Sequence, residues 1–165
     1  MKDLFIQMAK YHIWANGLII QALQRLTDEQ LDTHIASSFP SIRKTVYHMW
    51  SAEQVWLDRL LLAEYPVWAE SGFTRTFAEA CQNWQKASAG LLDFVNKQFD
   101  DRGFEHVTEY RSRKGDLHKT PVKFILQHTF NHGTYHRGQL ITMLRQLGVE
   151  KIPNTDLIAM LWAKG

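Results

Sequence analysis

The chain has 165 residues, 19 basic and 17 acidic side chains, a formal charge of +2 and a single cysteine, Cys81. The length suits one domain, 1–165, with a buried core; the near-neutral charge argues against a nucleic-acid partner, and a lone cysteine rules out an intrachain disulfide. The N-terminal stretch MKDLFIQMAKYHIWANGLII is too often interrupted by polar residues for a signal peptide, and no uncharged run approaches the ~18 residues of a membrane span, so a cytoplasmic protein with no membrane partner is expected.

Residues 2 to 26 have helical spacing, with Leu4, Met8, Tyr11, Ala15, Leu18 and Ala22 in one stripe and Phe5, His12 and Ile19 beside it. TDEQL at 27–31 offers a capping box, Thr27 with Gln30, before Ser38 to Pro40 break the pattern. A second long helix is expected from Ser41 to about Leu62, with Ile42, Val46, Met49, Trp56 and Leu60 as apolar positions. After the loop EYPVWAESGFTR, a third starts at Thr76, where Glu79 completes a capping box, and reaches about Phe99.

Residues 104–119 change character. β-Branched and aromatic residues followed by Lys114-Gly115-Asp116 predict a small hairpin. The basic cluster Arg111, Arg113 and Lys114 reads there as a solvated turn rather than a phosphate patch. Thr120 as N-cap and Pro121 in the first turn open a fourth long helix, which Gly148 stops after Leu147. Thr155 caps a short last helix, DLIAMLWAK. The fold class is therefore all-α, a four-helix bundle with a β-hairpin inserted before the last long helix.

The fourth helix carries HTFNHGTYHRGQ, with His128, His132 and His136 at intervals of four. At about 100° per residue, His128 and His136 flank His132 by about 40° on either side. Ile125, Thr129, Leu140, Met143 and Leu147 share that face, while Lys123, Gln127, Thr134 and Arg145 lie opposite, so the histidines are expected to face the core. Arg137 and Lys123 fall off the stripe, and their alanine variants are expected to be nearly silent. Protonating several buried imidazoles together would crowd like charges in a low dielectric, whereas a divalent cation uses their neutral lone pairs. Positions i and i+4 are close enough to share one cation. A further ligand must come from His12, His34, His48, His106 or His118; His48 is favoured because a long helix holds a side chain rigidly.

Three segments resemble the DinB (DinB/YfiT-like) family of four-helix-bundle metalloproteins: YHIWANGLII, SIRKTVYHMWSAEQVWLDRLL and LQHTFNHGTYHRGQLITMLRQLG, with TDLIAMLW also fitting. The resemblance implies one divalent metal ion, zinc, nickel or iron, held by His48, His132 and His136. It also implies a homodimer, and a metal-dependent transferase that activates a low-molecular-weight thiol for attack on a small electrophile. The alternatives are a stress-response or binding protein with a structural metal, or a metal-dependent hydrolase. Glu53, about 140° around its helix from His48, Asn16 and His128 are candidate polar neighbours of the site. Trp50, Trp56 and Trp84 suit core or interface burial, and Trp14 is a candidate for the cleft wall. Gly133 and Gly138, unfavourable inside a helix, point to close approach of another helix, within the chain or across a dimer.

Overall fold

The structure, a computed structural model, describes residues 1–66 and 68–162. The elements are α1 (Lys2–Leu23), α2 (Asp28–Asp32), α3 (Ile42–Leu60), α4 (Phe77–Lys97), a 3₁₀ turn at Asp101–Phe104, β1 (Val107–Arg111), β2 (Leu117–Pro121), α5 (Val122–Gln146) and α6 (Leu157–Trp162). The expected all-α bundle with an inserted hairpin is the observed architecture.

Local chemistry sets most boundaries. Ser41 accepts from the Lys44 amide at the start of α3, and the Thr27–Gln30 and Thr76–Glu79 capping boxes are both formed. The ends of α3 and α5 share one wrapping pattern. At α5, the amides of Gly148 and Val149 return to the carbonyls of Arg145 and Leu144, with Gly148 at φ +74°. At α3, those of Leu62 and Ala63 return to Arg59 and Asp58, but the left-handed position is filled by Leu62, at φ +58°. α4 stops at Lys97, short of the expected Phe99, which is exposed.

The start of α5 differs from expectation. Thr120 does not cap the helix; it pairs with Thr108 in the antiparallel ladder, which runs on to Pro121 opposite Val107. Pro121 is both the last strand residue and the N-cap, so the hairpin feeds α5 without a loop. At the C-terminus Asp156 precedes α6, its amide held by Asn154 Oδ1 at 2.9 Å. The tail of the expected last helix, 163–165, lies outside the described residues.

Each of α1 and α3 packs against both α4 and α5, so α1 and α3 are diagonal partners, as are α4 and α5. The two diagonal crossings run through the α2 segment and through the hairpin. The core is divided along its length. One apolar cluster gathers Ile19, Leu23, Val46, Trp84, Leu140 and neighbours; the other gathers Phe5, Leu57, Leu91, Val95, Phe104 and Ile125 with theirs. Between them in sequence, on all four long helices, lie the buried polar residues His12, Asn16, Glu53, Ser88 and Arg137.

This polar layer explains two phase errors in the sequence reading. On α1 the buried face runs through Phe5, Ala9, His12, Asn16, Ile19 and Leu23, while Leu4 of the expected stripe is exposed. On α5 the buried arc runs through Ile125, Gly133, Arg137, Leu140 and Leu144, which centres it about 80° from His132. The histidine stripe is therefore the margin of the core and not its middle. Placing Arg137 off the stripe displaced the α5 face, and counting Leu4 into the stripe displaced that of α1.

Candidate metal site

His48 projects from α3, and His132 and His136 from α5, where those two helices pack together. The structure brings them into one group: one ring nitrogen from each lies within 4.8 Å of the others. His48 Nε2 and His132 Nε2 face each other at 3.0 Å. His136 Nδ1 donates to Gln139 Oε1 at 2.7 Å, and Gln139 Nε2 donates to Ser38 Oγ at 2.7 Å, so the His136 ring is oriented with Nε2 unprotonated. Phe39 stacks on His48 at 4.2 Å between centroids and tilts against His136 at 5.8 Å. His136 is buried; His48 and His132 are half-buried.

The electrostatics keep these rings neutral. Burial, followed by the proximity of His136, pushes His48 down to about 4. Burial, then His136, His48 and His128, pushes His132 down to about 3. Burial also lowers His136, partly opposed by its bond to Gln139. Neutral imidazoles with converging lone pairs are the donor set a divalent cation requires. Tetrahedral zinc at about 2.0–2.1 Å from each nitrogen separates its ligands by about 3.3 Å, close to the 3.0 Å of the His48–His132 pair. The residues present therefore fit a metal. No fourth histidine, cysteine, aspartate or glutamate joins them among the described residues.

The other residues singled out in the sequence fall outside the ligand set. His128 lies at the edge of the site, its ring 5.8 Å from His132 and 5.2 Å from Trp56. Trp14 packs against the Tyr11–Ala15–Met160 cluster. Cys81 is buried, its thiol pushed up to about 12 by desolvation, so it offers no thiolate.

His12, Asn16 and Glu53 are not ligands; they form the polar layer. Glu53, fully buried, accepts from Trp84 Nε1 at 2.7 Å, Ser88 Oγ at 2.7 Å, Asn16 Nδ2 at 3.1 Å and His12 Nε2 at 2.8 Å. Burial alone would raise its pKa, but the hydrogen bonds from His12, Trp84 and Ser88 hold it below the ordinary carboxylate value. Arg137, expected on the outside, is 1% exposed. Its Nη1 reaches His12 Nδ1 at 3.2 Å and Asn16 Oδ1 at 2.9 Å, and its Nη2 reaches Thr134 Oγ1 at 2.8 Å. A guanidinium only donates, so His12 Nδ1 accepts and Nε2–H donates to Glu53. A neutral imidazole thus bridges a buried cation and a buried anion. Gly133 makes room for it: a Cβ there would lie 2.4 Å from His12 Cε1. Only the spacing of these polar residues on core-phased positions could have revealed them.

The DinB family model matches residues 1–164. The chain belongs to the DinB family. It is 28% identical over 162 residues to Protein DinB of Bacillus subtilis (strain 168), covering 93% of this chain and 91% of that one. A DinB-like protein from Bacillus cereus ATCC 10987 superposes with a TM-score of 0.69 at 21% identity, over 91% of this chain and 94% of the other. YfiT of Bacillus subtilis, described as a probable metal-dependent hydrolase with an unusual four-helix bundle topology, gives 0.68 at 18% identity, over 89% and 87%. These solved DinB-like relatives share the fold. Among the described residues no helix is long and apolar enough to cross a membrane.

Proposed function

We propose that the protein is a metal-dependent enzyme in which His48, His132 and His136 hold one divalent cation, zinc, nickel or iron, and that it activates a low-molecular-weight thiol for attack on a small electrophile. The observation that carries this reading is the convergence of three neutral imidazoles with no fourth histidine, cysteine or carboxylate among the described residues, an arrangement that leaves a coordination position for an exogenous group. Bound there, such a cation lowers the pKa of water to about 7 or holds a thiol as thiolate.

The chain's own residues supply positioning. Gln139 fixes the His136 tautomer, and Phe39 braces the His48 ring by stacking. Phe39, Trp56 and Tyr135 give the surroundings an apolar character suited to the carbon skeleton of an electrophile. Cys81 is buried, so the attacking thiol comes from a cosubstrate. The second reading, hydrolysis, draws support from the description of YfiT as a probable metal-dependent hydrolase. A homodimer belongs to the same proposal: a Cβ at Gly138 would meet nothing within 4 Å beyond its own helix backbone among the described residues, which leaves that stretch of α5 free to be approached by another chain.

Elemental analysis of untagged protein, followed by thiol-consumption assays against a panel of electrophiles, tests the reading. One equivalent of metal in the wild type, none in His132→Ala, and turnover that tracks occupancy support it. Metal bound without turnover of any thiol but with ester or amide cleavage would favour the hydrolase. Metal retained in full by His132→Ala overturns the ligand assignment. Light scattering tests the dimer, and a monomeric mass at high concentration refutes it.

A further inference from the structure

Arg111 and Arg113 are exposed at the end of β1 and in the hairpin turn. With Arg59 of α3 they line a cleft of about 360 Å³ whose walls include Val55 and Ser112 but, among the described residues, no acidic side chain. Arg59 is only 9% exposed. Its guanidinium lies between two rings, 4.5 Å from the Trp56 centroid and 4.5 Å from that of Tyr110. Its Nη2 donates to the Arg111 carbonyl at 2.9 Å, and its Nε is buried without an acceptor. Arg111 Nη1 donates to the Gly115 carbonyl, and Arg113 lies over Trp68 at 4.9 Å. The arginine ion pairs among the described residues involve Arg43, Arg75 and Arg102, and none of these three. Cation–π stacking and a carbonyl offset only part of what it costs to bury a guanidinium that has no anion. Burial also lowers the Arg59 pKa.

The cleft is linked to the histidine triad by a strip of rings. His132 meets His128 at 5.8 Å, His128 meets Trp56 at 5.2 Å, and Trp56 meets Tyr110 at 5.2 Å. Along α3, Arg59 stands about 16 Å from His48 at 1.5 Å per residue. Of the carboxylates nearby, Glu109 is already bonded to Lys119, Glu64 is exposed, and Asp116 is exposed and hydrogen-bonded to the Ser112 hydroxyl; none of them forms an ion pair with Arg59, Arg111 or Arg113 among the described residues.

We propose that Arg59, Arg111 and Arg113 bind an oxyanion, a carboxylate or a phosphate, carried by a small molecule whose reactive end reaches the triad along the Trp56–His128 strip. The anion site stands without any metal; its link to the triad rests on the functional reading above. Guanidinium groups suit both oxyanions because their donors are planar and paired.

The test is titration of arginine Nε–H NMR signals with inorganic phosphate and with succinate, against sodium chloride at matched ionic strength. A saturable shift at Arg59 is expected, and Arg113→Gln, at an exposed position, should weaken it about tenfold. Tighter saturation by phosphate or by succinate assigns the oxyanion. Shifts that chloride reproduces, or that Arg113→Gln leaves unchanged, overturn the site. The same titration on His132→Ala should be unaltered, so a failure of metal binding does not bear on it. For the link, metal-loaded protein should bind glutathione more tightly than its diethyl ester, which lacks free carboxylates, and Arg113→Gln should abolish the difference. Equal binding of the two by the wild type overturns the link.

Discussion

Arg137 Nη1 lies 3.2 Å from His12 Nδ1, joining α5 to α1 at the level where the two apolar clusters part. The arginine follows the expected ligand His136 directly in sequence, yet it serves the interior. The expectation that its removal is silent is therefore reversed. Arg137→Met should destabilise the protein by about 3–5 kcal/mol, because Glu53 would keep its charge without its counter-charge. Urea denaturation at neutral pH measures this, and a loss below about 1 kcal/mol would show that the pair is not coupled.

Two glycines of α5 should respond in opposite directions. Gly133→Ala places a methyl 2.4 Å from His12 Cε1 and should cost about 1–3 kcal/mol despite the better helix propensity of alanine. Gly138→Ala meets nothing within 4 Å and should gain up to about 1 kcal/mol. Thermal melts of the two variants side by side decide it, and equal shifts would contradict the packing at Gly133.

The two wrapped helix ends make a second pair. Leu62 occupies a left-handed position at φ +58° and is 76% exposed, so Leu62→Gly should relieve strain and stabilise by about 1 kcal/mol. Gly148→Ala, at φ +74°, should lose about the same amount. A Leu62→Gly variant less stable than the wild type would mean that the leucine makes contacts worth more than its backbone strain.

The pH response of the metal-free protein follows from the triad. His48 and His132 have folded pKa values of about 4 and about 3, below the ordinary 6.5. The unfolded chain therefore binds more protons below about pH 6.5, and stability is full above that pH and lost as pH falls toward 4 and then 3. Urea midpoints at neutral pH and near pH 5 should differ in the wild type and converge in a His48→Gln, His132→Gln double variant. An unchanged gap in the double variant would place the acid sensitivity elsewhere, for instance in carboxylates.

The long helices were legible because Ser41, Thr76 and Gly148 announce their ends chemically, and the hairpin because Lys114-Gly115-Asp116 can scarcely be anything but a turn; the 3₁₀ turn at Asp101–Phe104 was not foreseen. The triad was legible through its interval of four and the resemblance carried by the flanking segments. What hydrophobic patterning missed was the polar layer. His12, Asn16, Glu53 and Arg137 satisfy one another across four helices, and pairing over 41 or 125 residues of sequence leaves no local trace. Counting Arg137 as outward-facing rotated the inferred face of α5. Thr120 was misplaced for a similar reason: its hydroxyl faces Tyr110 across the ladder at 3.2 Å, a partner that only the register supplies.

The margin position of the histidine stripe has a consequence for redesign. The residues that define how α5 seats against its neighbours, Gly133, Arg137 and Leu140, lie on one edge and in the middle of the buried arc, while His132 lies just beyond the other edge. Donor atoms can therefore be exchanged with little disturbance of the scaffold. Introducing a carboxylate at position 132 or at the half-buried position 48 would harden the donor set and move its preference from zinc-like toward manganese-like cations. The bundle is in this sense a chassis whose inorganic chemistry can be refitted from its rim.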